Sequence, residues 1–376
     1  MSKQAKLIID ASELNADLYY ATGFLAPDPF IFIEVDEEKI LIMSDLEVDR
    51  ARSTAKVDRI IAYSSIKETL QKEGCQSPST VDIVIKFLKD VDIDRILVPD
   101  SFSVGYADKF RARSVCIDVK PAPFFNERLF KKEVEIEAIK KSLYYTELAM
   151  AYVIEFIAKS EIRGDVLYFD GEPLLAEVLR KRGHVFLLEH DMIAEHTIIA
   201  CAQQSCDPHC EGSGPLLAYQ PIVIDIFPRS SLSGYYADIT RTVVRGKASA
   251  ALKKMYQTVL EGQCIAFERI HNGVDASEIH RAILEYFERC GFKSGLIDGR
   301  QQGFFHGTGH GVGLDIHEPP RIGVEHEVLK TSQIVTVEPG LYYKEIGGVR
   351  LEDMVLVKDD GVEILTQMDK ILEISG

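Results

Sequence analysis

The stretch HGTGHGVGLDIHEPP, residues 306–320, combines side chains that can bind a metal with a backbone that can pass close to other groups. His306, His310 and His317 offer imidazole nitrogens, and glycine occupies every second position over residues 307–313. Glycine in ordered backbone carries a large entropic cost, so this run needs a structural or chemical reason. The stretch could therefore hold a metal ion, a phosphate group or no ligand at all.

The phosphate alternative agrees poorly with the spacing of the glycines. They follow each other at i, i+2, i+4 and i+6, which differs from the dinucleotide-binding pattern G-x-G-x-x-G, and there is no Walker lysine. His306 and His310 have the i, i+4 spacing of a helical zinc motif. The glycines between them disfavour a helix, however, and the glutamate of HExxH is missing.

Four acidic residues lie in segments that otherwise have the apolar pattern of β-strands. They are Asp225 in PIVIDIF, Asp238 in YYADITRTVV, Glu338 in QIVTVEPG and Glu352 in VRLEDMVLV. A buried carboxylate is costly unless it is paired or binds a metal. One such acid alone is commonly a solvent-facing strand residue or has its own salt bridge. Four of them, together with the histidine-rich loop, favour a metal centre.

Carboxylate oxygens with one imidazole suit two divalent ions held roughly 3.5–4 Å apart. Such ligands favour Mn²⁺, with Co²⁺, Zn²⁺ and Fe²⁺ as alternatives that ligand type alone does not exclude. The two-residue period of a strand predicts that Asp238 lies in mid-strand and that Arg350 and Glu352 share one face.

The composition limits the classes of partner. The net charge of −16 argues against binding to nucleic acid or to an anionic membrane, because both need basic patches. Neither a secretory signal nor an apolar run of about 18 residues is recognisable. Seven scattered cysteines are typical of a reduced, cytoplasmic protein. The group CAQQSCDPHC matches no standard zinc spacing and predicts small, partly buried cysteines.

Residues 1–125 alternate strand-like and helix-like segments, which predicts an α/β domain. The predicted strands are KLIIDA, DLYYATGF, PFIFIEV, KILIMS and RILVP, and the predicted helices are DLEVDRARS, VDIVIKFLKD and ADKFRAR. Pro121 and Pro123 in PAPFFNERLF break regular structure. We therefore place a domain boundary here and assign residues 126–376 to a second domain.

The second domain combines long helices with strands that look antiparallel, which predicts an α+β fold. A first helix is predicted from Lys131, a second through GEPLLAEVLRKRG to Gly183, and a third over residues 248–270. Asp275 and Glu278 form a D-x-x-E capping box for a fourth. The predicted strands are TIIACA and the four segments that carry the acidic residues.

The segments VIDIFPRSSLSGYYADITRT, HGTGHGVGLDIHE, VTVEPGLYY and RLED resemble, in order and approximate spacing, the motifs of the pita-bread metallopeptidases. This family includes methionine aminopeptidase, prolidase, aminopeptidase P and the non-metal enzyme creatinase. The resemblance covers about residues 130–376 and implies a pita-bread catalytic domain. Residues 1–125, with LYYATGF, resemble the N-terminal domain shared by prolidase, aminopeptidase P and creatinase.

The resemblance implies a role for each of five ligand candidates. Asp225 should bind one metal ion, His310 and Glu338 should bind the other, and Asp238 and Glu352 should bridge the two. A water or hydroxide between the ions should be the nucleophile, because two cations lower its pKa and polarise the scissile carbonyl. Glu338 should also pass the proton of this water to the leaving nitrogen.

Four further residues acquire roles from the resemblance. His209 matches a substrate-binding histidine of the Xaa-Pro branch, and His306 and His317 should hydrogen-bond the peptide carbonyl and the tetrahedral intermediate. Each of these histidines is alternatively a hydrogen-bonded core residue. Arg350 should orient Glu352 or meet a substrate carboxylate. The other six histidines match no motif: His184, His190, His196, His271, His280 and His326.

The activity implied by the resemblance is hydrolysis of the bond between an N-terminal residue and proline in small peptides. This bond is a tertiary amide that ordinary peptidases handle poorly. A homodimer is also implied. The alternatives are an aminopeptidase of other specificity, such as a methionine aminopeptidase, and a non-catalytic binding protein of this fold. The N-terminal domain disfavours the first alternative, and the five intact ligands disfavour the second.

One departure from the family concerns the segment between the first two ligands. Twelve residues separate Asp225 from Asp238, two more than is usual in the family, which predicts a longer hairpin turn around residues 230–234. The sequence does not separate a dipeptidase from an aminopeptidase that acts on longer peptides.

Overall fold

The computed structural model describes residues 3–375, and the chain divides into two compact units, one up to Arg128 and one from Leu129. The division falls three residues beyond the boundary predicted after residue 125. Within residues 3–375, no helix has both the length and the apolarity that are needed to cross a bilayer.

The first unit has a six-stranded sheet and five described helices. In chain order these are β1 (Gln4–Asp10), α1 (Ala16–Thr22), β2 (Phe30–Val35), β3 (Glu38–Met43), α2 (Asp45–Thr54), β4 (Arg59–Ala62), α3 (Tyr63–Lys72), α4 (Thr80–Asp90), β5 (Arg95–Pro99), α5 (Val104–Arg111) and β6 (Cys116–Lys120). The sheet order is β4-β3-β2-β1-β5-β6; β2 is antiparallel to both neighbours and the other pairs are parallel.

Successive residues of β2 enter different cores, which shows that both faces of this sheet are covered. Ile31 and Ile33 pack with apolar residues of α4 and α5, whereas Phe30 and Phe32 pack with those of α1 and α2. This alternation is the two-residue period of a strand. The α/β class predicted for this part of the chain is confirmed.

The segment DLYYATGF is a helix, so the prediction of a strand there was wrong. Asn15 caps α1 by accepting a hydrogen bond from the Leu18 amide, and Gly23 ends it in the left-handed conformation, at φ 59°. Leu18, Ala21 and Thr22 are the buried residues of α1, and their spacing is helical. A seven-residue segment rich in tyrosine is compatible with both the two-residue period of a strand and the 3.6-residue period of a helix, and the two caps favour the helix.

The second unit contains four long helices and many short strands. The helices are α6 (Glu133–Lys159), α7 (Ala176–Leu188), α8 (Ala250–Arg269) and α9 (Ala276–Arg289). The strands are β7 (Glu161–Arg163), β8 (Val166–Phe169), β9 (Glu172–Pro173), β10 (Met192–Ile193), β11 (Ile198–Cys201), β12 (Ile222–Ile226), β13 (Arg229–Ser230), β14 (Ile239–Arg245), β15 (Gly295–Ile297), β16 (Arg300–Gln302), β17 (Gly309–Gly311), β18 (Glu318–Ile322), β19 (Ile334–Val337), β20 (Gly340–Tyr343), β21 (Gly347–Arg350), β22 (Asp353–Lys358), β23 (Gly361–Ile364) and β24 (Glu373–Ile374). Short 3-10 helices cover Asn126–Leu129 and Ala202–Cys206.

Two sheets form the frame of this unit, and each one is covered by a pair of helices. The sheet β11-β12-β14-β24 shares an apolar core with α6 and α7, and the sheet β18-β17-β19-β22-β23 shares another with α8 and α9. Within both sheets the pairs are antiparallel, except that β14 and β24 are parallel. The predicted α+β class is therefore confirmed.

Helix α7 begins and ends later than predicted. It starts at Ala176 and runs through Gly183 to Leu188, so Gly183 does not end it. A Cβ at Gly183 would lie 3.2 Å from Cγ2 of Val153 on α6. This glycine therefore serves the close packing of two helices.

Of the four acidic residues, Asp225 alone lies within a strand. Asp225 lies within β12 as expected, but Asp238 directly precedes β14 and does not lie in mid-strand. The segment VRLEDMVLV is broken, since β21 ends at Arg350 and β22 begins at Asp353. The chain changes partner here, because β21 pairs with β20 and β22 pairs with β19. Glu352 lies in this break.

Candidate metal centre

Asp238, His310 and Glu352 form the centre of the site. All three are buried, and one ligand atom of each lies within 4.8 Å of the others. Asp225 and Glu338 line the same cavity, which has a volume of about 860 Å³. The structure thus brings together all five residues that the sequence singled out as ligand candidates.

Regular alternation along β12 aims Asp225, and an irregular strand pairing lies beside His310. Ile222, Ile224 and Ile226 of β12 face the helices α6 and α7, so Asp225 faces the opposite side of the sheet. The pairing of β17 with β18 shifts register between His310 and Gly311, and the extra residues lie on β18. Irregularities of this kind are common next to functional sites.

The glycines around His310 allow close approach of backbone, as we predicted. A Cβ at Gly309 would lie 1.9 Å from the carbonyl oxygen of Thr336, and one at Gly311 would lie 2.3 Å from that of Pro319. A Cβ at Gly313 would lie 2.5 Å from Oε1 of Glu318. Larger residues do not fit at these positions.

The imidazole of His310 is in the form that binds metals. Its Nδ1 lies 3.1 Å from the carbonyl oxygen of Gly311, which only accepts, so Nδ1 carries the proton. Its Nε2 lies 3.4 Å from Oε1 of Glu338 and 3.7 Å from Oδ2 of Asp238. Burial, together with His317, lowers the pKa of His310 to about 3. A neutral imidazole therefore directs its lone pair towards the carboxylates.

The carboxylates repel each other strongly in this setting. Burial and the neighbouring acids raise the pKa of Asp238 and of Glu352 well above their usual ranges. Burial raises the pKa of Glu338 to about 7, against the opposing charge of Arg350. Such a cluster needs added positive charge to remain ionised.

The donor atoms present fit divalent cations. Asp225 Oδ1, Asp238 Oδ1 and Glu352 Oε1 are buried and accept no hydrogen bond from the described residues. An unsatisfied buried acceptor is costly, and three of them surround one cavity here. Carboxylate oxygens with a single neutral imidazole are ligands of Mn²⁺ and similar ions.

Arg350 contacts Asp225 and not Glu352, which the sequence had suggested as its partner. Its Nη2 donates to Oδ2 of Asp225 at 2.6 Å, and its Nε donates to the Thr240 hydroxyl at 3.2 Å. The Thr240 hydroxyl donates in turn to Oε2 of Glu352 at 2.8 Å. The guanidinium thus fixes one carboxylate directly and a second through a threonine.

His306 differs from the other cavity histidines because both of its ring nitrogens have protein partners. Its Nδ1 donates to the carbonyl oxygen of Gly307 at 2.8 Å, and its Nε2 accepts from the Tyr342 hydroxyl at 2.9 Å. Arg350 donates to the same hydroxyl at 3.0 Å. Burial lowers the pKa of His306 to about 3, so the ring is neutral.

His209 and His317 also line the cavity, and their imidazoles have no hydrogen-bond partner within residues 3–375. The His317 ring lies edge-on to His310, with 4.4 Å between the ring centroids. Burial, together with Arg321, lowers the pKa of His317. The structure thus places every predicted site histidine at the cavity, two of them free to meet a ligand.

The sequence analysis missed His196 and Arg321, which line the cavity, and Tyr342, whose hydroxyl contacts His306 and Arg350. Tyr342 lies in an apolar strand, where nothing distinguishes it from a core residue. His196 lies outside every motif, and its Nδ1 contacts Oε1 of Glu211 at 2.8 Å. Arg321 follows the histidine-rich loop and lines the cavity. A single arginine outside any motif does not indicate a functional site from sequence.

Comparisons with known proteins agree with this geometry. Residues 137–359 match the model of metallopeptidase family M24. The Xaa-Pro dipeptidase of Pyrococcus furiosus is 31% identical over 360 residues, which cover 95% of this chain and 92% of that protein. The prolidase structure from Pyrococcus horikoshii has a TM-score of 0.78 and 26% identity, over 98% of this chain and 95% of that one. The X-Pro aminopeptidase structure from Thermotoga maritima has a TM-score of 0.79 at 23% identity, over 99% of this chain and 97% of that one.

The chain belongs to metallopeptidase family M24. It has the predicted pita-bread catalytic fold together with an α/β N-terminal domain. Membership of the family implies divalent metal ions, in agreement with the cluster of Asp238, His310 and Glu352.

Proposed function

We propose that this chain is a metallopeptidase that hydrolyses the bond between an N-terminal residue and proline. The observation that carries the proposal is the convergence of five ligand-type side chains on one cavity. The names of relatives that match nearly the whole chain, Xaa-Pro dipeptidase and prolidase, support this specificity.

We assign Asp225 to one metal ion, His310 and Glu338 to the other, and Asp238 and Glu352 to both. The unpartnered oxygens of Asp225, Asp238 and Glu352 and the free Nε2 of His310 support this assignment. Mn²⁺ is the proposed ion because most of the donors are hard oxygens. When bound, two such ions supply an activated water and polarise the scissile carbonyl.

The remaining steps belong to the side chains around the cavity. Glu338 is the proposed proton carrier between the attacking water and the leaving nitrogen. Its side chain is 19% exposed, whereas those of Asp238 and His310 are 6% exposed, so it is the more accessible to substrate. His209 and His317 are the proposed hydrogen-bond donors to the substrate carbonyl and the tetrahedral intermediate, since both line the cavity with free imidazoles.

Two residues have a less direct proposed role. His306 is engaged on both nitrogens, so we assign it to the wall that positions Tyr342 and the substrate. Arg350 holds Asp225 in place through a charged hydrogen bond. Its guanidinium has four protein partners, which leaves little capacity for a substrate carboxylate.

The decisive experiment compares wild-type protein with Glu352→Ala. Mn²⁺-loaded wild-type protein should cleave an Xaa-Pro dipeptide or an Xaa-Pro-Yaa tripeptide, with products resolved by chromatography. The variant should lose this activity and bind less metal. Cleavage by the variant at the wild-type rate would refute the site assignment.

The same peptides distinguish the alternative functions. Faster cleavage of Met-Ala than of Xaa-Pro peptides by the wild-type protein would favour methionine aminopeptidase specificity. Binding of peptides without cleavage would favour a non-catalytic binding protein.

The same assay separates a dipeptidase from an aminopeptidase that acts on longer peptides.

We also propose a homodimer, which the resemblance to prolidases supports. Light scattering after gel filtration tests this proposal. A cytoplasmic location is proposed because all seven cysteines are free thiols, a pattern typical of reducing compartments. The net charge of −16 supports small peptides, and not nucleic acid or anionic membranes, as partners.

A further inference from the structure

Helix α8 carries a glutamine in the middle of its apolar face. Gln263 is completely buried, and Val259 and Ala266 on either side of it belong to the apolar core between α8 and its sheet. An amide in such surroundings is costly unless its hydrogen bonds are satisfied. Its presence therefore calls for specific partners.

The two partners of Gln263 are the peptide groups that precede two ligand candidates. Its Nε2 donates to the carbonyl oxygen of Val337 at 2.9 Å and to that of Leu351 at 3.3 Å. Glu338 follows Val337 and Glu352 follows Leu351. Both partners are carbonyl oxygens, which only accept, so this orientation of the amide is the one that the contacts require.

The strand ladder explains why the Leu351 carbonyl needs a donor from outside, whereas Val337 is the last residue of β19 that pairs with β22. Pairing between β19 and β22 stops at Val337 and Asp353, and pairing between β20 and β21 starts at Gly340 and Arg350. Residues 338–339 and 351–352 lie in the gap between the two ladders. A buried carbonyl without a donor costs free energy.

The amides of the two acids point away from this gap. The Glu338 amide donates to the carbonyl oxygen of Thr308 at 2.7 Å, and the Glu352 amide donates to that of Thr240 at 3.0 Å. Each acid is thus tied by its own amide to a different strand segment. Gln263 is the one described side chain that donates to the peptides before both acids.

We propose that Gln263 is a positioning residue of the metal centre, whose amide sets the separation of the Glu338 and Glu352 carboxylates by holding the peptides before them. The inference rests on the proposed function, because it assigns those carboxylates to metal binding. Supporting residues of this kind typically change metal affinity or activity by about 10–100-fold. Without the amide, the two peptides are free to separate or to take up other donors.

The test replaces Gln263 with methionine, which has similar volume and no donor. Val259→Ala is the matched control, because it perturbs the same helix face and apolar core one turn earlier, and a valine side chain donates no hydrogen bond to the ligand peptides. Each metal-free protein is titrated with Mn²⁺ by calorimetry, and kcat and KM are measured on an Xaa-Pro dipeptide. Far-UV circular dichroism and thermal unfolding report the folded state.

Gln263→Met should bind Mn²⁺ at least about tenfold more weakly at one of its two sites and lose about as much in kcat, with KM within about twofold of wild type. Val259→Ala should lower the unfolding temperature and leave both metal affinities within about twofold. If Gln263→Met does not fold, Gln263→Asn, whose amide is one methylene shorter, carries the same expectation.

Wild-type Mn²⁺ affinity in a folded Gln263 variant would overturn the inference. So would an equal loss of affinity in Val259→Ala, since the effect would then follow stability alone. The proposed function fails by a different result, namely a wild-type protein that binds two Mn²⁺ ions and cleaves no Xaa-Pro peptide.

Discussion

The two halves of the catalytic unit have the same layers but place their ligand candidates differently. In the first half, α6 and α7 cover a sheet whose strand β12 carries Asp225 at a regular strand position, and Asp238 directly precedes β14. In the second half, α8 and α9 cover a sheet in which His310 lies beside a shift of strand register, Glu338 directly follows β19 and Glu352 lies in a strand break.

The difference shows what irregular placement requires. A residue within a strand has its backbone satisfied by the ladder, so alternation alone aims its side chain. A residue beyond the ladder needs other donors for the neighbouring peptides. Gln263 and Arg241 supply them in the second half, through side chains that are buried in the core.

The largest predicted effect concerns Arg241, which joins the two halves. It lies on β14 of the first half, pairs with the buried Asp353 at 2.8 Å, and donates to the carbonyl oxygen of Glu352 at 2.7 Å. Breaking a buried pair costs about 3–5 kcal/mol. Asp353 keeps Lys370 as a second cationic partner, but the carbonyl oxygens of Glu352 and Met368 lose a buried donor. Arg241→Met should lower the free energy of unfolding in urea by this amount.

Arg241→Lys is the control for this prediction. It keeps the charge but lacks the planar fork that reaches several acceptors, so its loss should be smaller. An Arg241→Met protein with the urea midpoint of wild type would mean that the halves do not depend on this pair.

The second prediction tests the crowding around His310. Gly309→Ala places a methyl group against the Thr336 carbonyl, 1.9 Å away, and overpacking of this kind costs roughly 1–3 kcal/mol or more. Gly323→Ala is the matched control, because its new Cβ meets nothing within 4 Å. Thermal unfolding should show a clear loss for the first variant and little change for the second. Equal unfolding temperatures would contradict the packing role of the alternating glycines.

The regular parts of this structure were predictable from sequence, and the irregular parts were not. Periodicity identified α6, α8 and the strand of Asp225, because one apolar face in each repeats over several turns or residues. Residue types and order identified all five ligand candidates. The break before Asp353 was invisible, since VRLEDMVLV is a continuous strand pattern and only the change of pairing partner interrupts it.

The supporting contacts were equally hidden from the sequence. Gln263, Arg241 and Tyr342 act through atoms of residues 70 or more positions away or through other side chains. A glutamine in a helix or an arginine in a strand is ordinarily a surface residue. Long-range backbone geometry alone shows why these positions are polar.

The third prediction compares one packing glycine from each half. A Cβ at Gly262 of α8 would lie 2.6 Å from the fully buried ring of Phe287 on α9, whereas one at Gly183 would lie 3.2 Å from a methyl group of Val153. Alanine favours a helix over glycine by about 1 kcal/mol. Gly262→Ala should therefore destabilise by about 1–3 kcal/mol, because the ring has to move.

At Gly183 the helix preference and the tighter contact oppose each other. Gly183→Ala should change the free energy of unfolding by less than about 1 kcal/mol in either direction. Urea unfolding of the two variants side by side measures the difference. A larger loss at Gly183 than at Gly262 would reverse the order of packing tightness in the two helix pairs.

The smallest predicted effect concerns the start of α9, which has a charged cap that α7 lacks. Asp275 accepts a hydrogen bond from the Ser277 amide, and its other oxygen contacts His326 Nδ1 at 2.8 Å, whereas α7 has no side-chain cap. The contact lowers the pKa of Asp275 to about 2 and raises that of His326 above its usual range.

The two shifts set the pH range in which the pair stabilises the folded protein. A histidine whose pKa is raised on folding stabilises the protein at pH values below its unfolded pKa, near 6.5, and this contribution is lost as the pH rises through its folded pKa. An aspartate whose pKa is lowered on folding stabilises the protein at pH values above its unfolded pKa, near 3.8, and this contribution is lost as the pH falls towards about 2. The pair should therefore contribute most between about pH 4 and 6.5, and its contribution should fall between pH 6 and 8. The difference in unfolding temperature between wild type and His326→Gln should be larger at pH 5.5 than at pH 8, and both groups are exposed, so added salt should reduce it. A difference that stays constant across this pH range would show that the cap works through the Ser277 amide alone, without help from the histidine charge.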